Sequence, residues 1–423
     1  MDHFQRQGPT LHCEDVNLHQ VAERFGTPTY VYSKATITRH IKVLQEALVG
    51  LPHHICYAVK ANANLAILEV IQELGCGFDA VSVGELKRVE HIGADPKQVI
   101  FSGVGKRDDE IRSALEAGVL YICVESEEEL SAVSSIAQSM GISAPVSVRV
   151  NPDVDPKTHP YIATGLNKNK FGIPMDRAES IYKEALDNPN LKMVGVTCHI
   201  GSQVTQLDPF LDAAHRMLKL TQALLAQGSP LEYMGMGGGL GIPYAGETPP
   251  PPREYGEALA SILGELGLTI VFEPGRVIIG NAGVLLTEVV RRKEGATRTF
   301  TIVDAGMNDL IRPALYQAHH GIEGVDEVEG PTALCDVVGP VCESADTFAD
   351  QEQFPVWKPG SLLAIRSCGA YGFVMACQYN GRPRPAEVLC DGGHAYLIRE
   401  RETLEQLWTG EIRLDVATSS GEK

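Results

Sequence analysis

The sequence predicts a (β/α)8 barrel followed by a second, mostly β domain of barrel-like or sandwich-like build. Three observations lead there. Between about residues 53 and 272, eight short apolar strands alternate with helices, the repeat of a closed parallel barrel. Those strands lack clean polar alternation, as strands do when both faces are buried. From about 281 the texture changes to short β-rich runs divided by Gly, Pro and Asp. A doubly wound open sheet is the alternative topology, but the first glycine cluster comes far too late for a nucleotide-binding turn after the first strand. A chain of 423 residues is also long for one hydrophobic core. The expected division is 33–278 for the barrel, with 1–32 and 279–423 building the β domain.

In chain order, Pro28 to Tyr32 is a strand candidate, and Ser33 caps a helix reaching to about Leu48. The first barrel strand spans 53–60 and ends on Lys60, with a helix from Leu65 to Leu74 behind it. Gly77 to Ser82, Val99 to Ser102, Val119 to Val124 and Pro145 to Val150 supply strands two to five. Helices follow at 84–91, 107–116 and beyond Ser126. A polar loop, 152–173, exceeds the usual connection length, and such loops tend to be functional. Strand six is Met193 to His199, strand seven Leu231 to Met236 and strand eight Thr269 to Phe272, with helices over 176–186, 208–226 and 254–265. Beyond 281, strands are expected at 283–291, 299–304, 361–365 and 387–389, with a short helix near 309–315. Periodicity leaves open whether the strand at 30–32 joins this second domain.

Composition narrows the function. A formal net charge of -18 argues against a nucleic-acid surface but leaves room for arginines that hold an anionic ligand locally. No apolar run approaches a membrane span, and the N-terminal residues lack a basic-then-apolar signal pattern. The ten cysteines are scattered, with no close pair. Together these predict a cytoplasmic protein with free thiols. The adjacent pairs His53-His54 and His319-His320 have no clear ligand geometry, so no metal is assigned.

Chemistry is expected at the C-terminal ends of the barrel strands. Strand one offers Lys60 and Asn62, strand two Asp79 with Ser82 and Glu85 beyond it, and strand five Arg149. Strand six brings His199 with Ser202, strand seven the run Gly237-Gly238-Gly239, and strand eight Glu273-Pro274-Gly275-Arg276. A lysine on an apolar strand is costly to bury unless it works, and an amine at a barrel mouth can condense with a carbonyl. Glycines after strands seven and eight sit where barrels commonly hold a phosphate. Amine and phosphate cradle in one mouth suggest pyridoxal 5'-phosphate on Lys60. Glu273 could then keep the pyridine nitrogen protonated and His199 lie over the ring. Taken singly, His199 could equally be a satisfied core histidine, Glu273 a loop carboxylate, and Asp79 a turn residue or a partner for His199 or a lysine.

These segments carry a resemblance. Tyr57-Ala58-Val59-Lys60-Ala61-Asn62, His199 to Gln203, the glycine run 237–241 and Glu273 to Arg276 resemble the alanine-racemase-type barrel class of pyridoxal-phosphate enzymes. Within that class the chain is similar to the diaminopimelate decarboxylase family from about residue 15 to 410. The discriminating segments are His159 to Gly165, Asp304 to Tyr316, Cys342-Glu343-Ser344 and Tyr371 to Met375. The resemblance implies that Lys60 holds the cofactor covalently, with His199 on its ring and Glu273 facing its nitrogen. It places Asp79, Ser202, Gly238, Gly239, Gly275, Arg276 and Tyr371 in the cofactor site, and Arg276, Arg312, Tyr316, Glu343 and Tyr371 around the substrate. Cys342 looks like the proton donor, arriving from the neighbouring subunit of a homodimer with shared active sites. The implied reaction is decarboxylation of meso-2,6-diaminopimelate at its D-configured centre, giving L-lysine. A decarboxylase of ornithine, arginine or carboxynorspermidine on the same fold is the alternative.

Overall fold

The computed structural model describes residues 2–162, 164–165 and 170–414. Ala163 and residues 166–169 of the long loop lie outside the described residues. The chain divides into two compact units. One comprises 1–4, 33–284 and 366–374; the other comprises 5–32, 285–365 and 375–423.

In the first unit eight parallel strands close on themselves. His53–Ala58, Gly77–Ala80, Val99–Phe101, Tyr121–Val124, Ala144–Asn151, Leu191–Thr197, Tyr233–Gly237 and Thr269–Phe272 pair in chain order. Phe272 opposite Ile55 shuts the ring. The strands are apolar because they have nowhere polar to point. Tyr121 to Val124 are all buried, and Cys56, Ile100, Tyr121, Cys123, Val194 and Val271 form one interior cluster. A buried aliphatic or aromatic side chain contributes ~1.5–3 kcal/mol, so this layer weighs heavily in the barrel's stability. Four of the described outer helices start where a hydroxyl or amide side chain satisfies one of their first N–H groups. Ser33 accepts from Thr36, Asn64 from Ala66, Ser82 from Glu85 and Ser126 from Glu129.

Two strand ends differ from expectation in a way that matters. Strand one stops at Ala58, whose N–H donates to the Pro274 carbonyl (3.0 Å), and Val59–Ala61 make a 3-10 turn that carries Lys60. Strand six stops at Thr197, leaving His199 on the segment beyond it. Lys60 thus rides on a turn just past its strand, and His199 on the segment just past its own.

Residues 366–374, expected with the β domain, cluster with the barrel unit. The reason is backbone pairing. Cys368 N–H donates to Gly283 O (2.8 Å), Gly369 N–H to Gly280 O (2.9 Å) and Tyr371 N–H to Ala61 O (2.8 Å). A Cβ at Gly369 would fall 1.9 Å from the Ile279 carbonyl, so only glycine permits this approach.

The second unit is built on a nine-stranded sheet. Its main path runs Thr347–Pro355, Thr332–Val338, Thr299–Val303, Gly283–Glu294, Thr29–Ser33, Ala386–Asp391 and His394–Arg399, while Leu362–Ile365 joins Gly283–Glu294 to Ile322–Gly324. The early strand Thr29–Ser33 thus lies between strands from late in the chain, which settles the question periodicity left open. A three-stranded sheet (Phe4–Gln7, Thr10–Cys13, Val16–Asn17) and the helix Leu18–Phe25 precede it. Among the described residues, no helix is long and apolar enough to cross a membrane.

Candidate active site

Lys60 leaves its 3-10 turn toward strand two, where its Nζ meets Asp79 Oδ2 at 2.8 Å. Asp79 is fully buried, while 40% of the lysine side chain remains exposed. Burial works against the ammonium, but the charge and hydrogen bond of Asp79, helped by Tyr371 and Glu273, outweigh it and hold Lys60 above its ordinary range. Oδ1 of Asp79 is buried without a partner among the described residues. Six residues on, Glu85 accepts from Val81 N–H (2.9 Å). Burial pushes its carboxyl up to about 7, against the pull of that hydrogen bond.

Opposite stand His199 and Glu273. Gly238 N–H donates to His199 Nδ1 (3.3 Å). Burial, then the positive charges of Arg149 and Lys60, depress the imidazole and keep it neutral. Thr164 Oγ1 donates to the His199 carbonyl (2.8 Å), and Ser202 N–H to the Ile162 carbonyl (3.0 Å), so the described part of the long loop braces the segment after strand six. Glu273 N–H donates to Gly237 O (2.8 Å), which sets the end of strand eight. Its Oε1 is buried without a partner among the described residues, and burial together with the nearby Asp79 raises its carboxyl.

The glycines bring the loops after strands six, seven and eight together. At Gly239 φ is +111°, and a Cβ there would lie 2.4 Å from the Gly201 carbonyl. A Cβ at Gly238 would lie 2.2 Å from the Glu273 carbonyl. Gly275 packs on Ala61 and Ala58 below Lys60. Arg276 is buried, donates to Ser202 Oγ (3.1 Å) and Tyr244 OH (2.6 Å), and lies over the Tyr371 ring at 4.9 Å. Tyr371 takes a left-handed backbone (φ 56°), uncommon for an aromatic residue, and is held there by its bond to Ala61.

The mouth of this barrel therefore gathers an amine paired to a carboxylate, a neutral imidazole, a buried carboxyl and a guanidinium. The residues 34–280 match the model of the pyridoxal-dependent decarboxylase, pyridoxal binding domain. The chain is 51% identical over 414 residues to the diaminopimelate decarboxylase of Pseudomonas aeruginosa, covering 98% of this chain and 100% of that one. The chain belongs to the diaminopimelate decarboxylase family. Solved members of the family superpose closely. The Helicobacter pylori enzyme complexed with L-lysine gives a TM-score of 0.90 at 42% identity, covering 93% of this chain and 98% of that one. The M. jannaschii enzyme in co-complex with L-lysine gives 0.93 at 36%, covering 98% of each.

Membership of this family makes pyridoxal phosphate the cofactor, and the residues present fit it. Glu273 Oε1 is an unsatisfied buried acceptor, as a protonated pyridine nitrogen requires. Nε of buried Arg276 is an unsatisfied donor, as an anion requires. Lys60 keeps its exposed surface on a side chain whose partner is wholly buried.

The remaining expected residues lie in the second unit. Arg312 is buried and opens the short helix Arg312–Tyr316, which also carries Tyr316. Cys342 is exposed, and so is Glu343, which accepts from Tyr379 OH (3.2 Å). Arg149, read as a strand-end donor, is committed elsewhere: it pairs with Glu125 (2.8 Å) and covers the Phe171 ring at 4.8 Å. Its charge still bears on His199 and Glu273. The sequence reading missed Tyr244, and it placed Glu85 beyond strand two without giving it a role. A tyrosine in the loop just after the glycine run was the available signal for the first.

Proposed function

We propose that the barrel mouth removes carbon dioxide from the D-configured centre of meso-2,6-diaminopimelate and releases L-lysine, the last step of lysine biosynthesis. The observation that carries this reading is the Lys60–Asp79 pair set against the unpartnered Glu273 Oε1 in one mouth. The lysine complexes of the structural relatives agree with the product.

Bound pyridoxal phosphate supplies a carbonyl for amine condensation and an electron sink for the carbanion that loss of carbon dioxide leaves. Lys60 would hold it covalently, Glu273 would accept from its pyridine nitrogen, and Ser202, Gly238, Gly239, Gly275, Arg276 and Tyr371 would surround its phosphate end. Asp79 keeps Lys60 in place and protonated; the amine attacks only after that proton has left Nζ. A neutral His199 offers a flat face and adds no further positive charge beside Lys60 and Arg149. Glu273, ionised opposite a cationic nitrogen, would stabilise charge where it develops.

Substrate choice needs a second recognition point, since the distal end of diaminopimelate carries an amine and a carboxylate. Arg312 can fork onto that carboxylate and Glu343 pair with that amine, with Tyr316 and Tyr371 beside them. Ornithine would leave the arginine unmatched, a costly loss in a buried site. The thiol of Cys342 would deliver the proton to the α-carbon. In this reading Cys342 and Glu343, exposed on their own unit, serve the barrel of a second subunit, so a cytoplasmic homodimer carries two shared sites.

The test is side-by-side turnover of meso-diaminopimelate, ornithine, arginine and carboxynorspermidine, with carbon dioxide measured. Preference for any of the last three overturns the substrate assignment. Lys60→Ala should lose both the visible cofactor band and turnover. Mixing inactive Lys60→Ala with inactive Cys342→Ala should restore activity through hybrid dimers; no recovery despite demonstrated subunit exchange would remove the shared site.

A further inference from the structure

The loop bearing Cys342 and Glu343 is firmly tied at its base and exposed at its tip. Gly339 N–H donates to the Asp346 carbonyl (3.0 Å). The buried Asp346 carboxylate accepts from Val341 N–H (2.7 Å) and Met307 N–H (2.6 Å). Beyond that base, Cys342, Glu343, Ser344 and Ala345 are all exposed. One neighbouring turn reaches both working residues of this tip. Asn380 Oδ1 accepts from Cys342 N–H (2.8 Å), and Tyr379 OH donates to Glu343 Oε2 (3.2 Å).

That turn is itself braced. Asn380 adopts a left-handed backbone (φ 58°, ψ 23°), a conformation asparagine accepts more readily than most residues. Gly381 N–H closes onto Gln378 O (2.9 Å), and the Gln378 amide donates to Glu402 (3.0 Å). On its flanks, Cys377 N–H donates to Asn308 O and Arg382 to Asp304 O, each at 2.8 Å. The largely buried 304–309 segment is thus linked to the Cys342–Glu343 tip through the turn that carries two adjacent side chains.

We propose that Tyr379 and Asn380 are positioning residues for the decarboxylation, Asn380 setting the backbone of the proton-donating Cys342 and Tyr379 the carboxylate of the amine-recognising Glu343. This rests on the roles given to Cys342 and Glu343 above. An unbraced tip would leave thiol and carboxylate to wander independently, and a misplacement of about 1 Å can cost on the order of 100-fold in rate.

The two side chains should separate kinetically in the full-length holoenzyme. Tyr379→Phe should raise KM for meso-diaminopimelate by about 3–10-fold and change kcat by less than about twofold, because it frees the recognising carboxylate alone. Asn380→Ala should lower kcat by about 10–100-fold with little change in KM, and Asn380→Asp, which keeps the acceptor, should recover most of it. In a Cys377→Ser background, Asn380→Ala should also alter the alkylation rate of Cys342. Kinetic constants unchanged in both variants would overturn the inference, as would losses that merely follow a fall in thermal stability. Cys342→Ala distinguishes the two levels. Retained turnover overturns the donor role and this inference with it; lost turnover beside a fully active Asn380→Ala overturns this inference alone.

Discussion

The N–H of Gly238 donates to Nδ1 of His199 across 3.3 Å, which leaves the imidazole proton on Nε2. A backbone amide in the glycine run thus fixes the tautomer of His199. If the histidine acts through its flat face, His199→Phe should retain the cofactor with no more than about tenfold weaker binding, while His199→Ala should lose more. Titration of the apoenzyme with cofactor, followed by visible absorbance, checks the order.

Asp79 is the group that keeps Lys60 charged against the cost of burial. Its loss should therefore lower the lysine pKa. A hydrogen bond to a charged group contributes ~1.5–3 kcal/mol, and the 40% exposure of the lysine side chain places this one toward the lower end. Asp79→Asn should move the Nζ titration down by roughly one pH unit. NMR titration of the isotopically methylated lysine in the apoenzyme reads it directly.

Glu273→Gln preserves shape and removes the charge. Cofactor should still bind, but carbon dioxide release in a single turnover should slow by about 10²–10³-fold, the usual cost of removing one preorganised electrostatic partner. Binding lost together with turnover would assign Glu273 to folding of the site instead.

Glu85 yields a stability expectation. Its folded pKa, about 7, lies above that of an unfolded glutamate. Between the two values the folded chain binds more protons than the unfolded one, so apoenzyme stability from this group declines as pH rises from about 4.5 to 7. Glu85→Gln should flatten that slope, removing a change on the order of 2–3 kcal/mol in urea unfolding free energy across the interval.

The barrel was legible because its strands are short apolar runs and several of its helices begin at a Ser or Asn cap. Lys60 stood out in the sequence as an ammonium on an apolar strand, although a stem lying along the surface with its charge in water would explain it too. The second unit was harder. Thr347–Pro355 carries Asp, Gln and Glu among few apolar residues and lacks a strand pattern, yet it pairs extensively with Thr332–Val338, an apolar run broken by Asp336. Phe4–Gln7 and Thr10–Cys13 were missed for the same reason. Tyr244 on Arg276 and Tyr379 on Glu343 are contacts between residues 32 and 36 positions apart, and no local pattern reports them. The inclusion of 366–374 in the barrel unit rests on backbone hydrogen bonds, which leave almost no signature in side-chain chemistry.

That last segment also orders events on the ribosome. The Ala61 carbonyl beside Lys60 waits for the N–H of Tyr371, more than three hundred residues downstream. The Gly280 carbonyl, just past the short helix that follows strand eight, waits for Gly369 in the same way. A nascent chain that has completed all eight barrel strands still lacks the piece that closes its reactive rim. Domain-by-domain synthesis, the usual route for chains of this size, is therefore interrupted here. The turn that carries Lys60 reaches its final setting only when most of the second unit has also been made, so an incomplete chain leaves that turn unfinished.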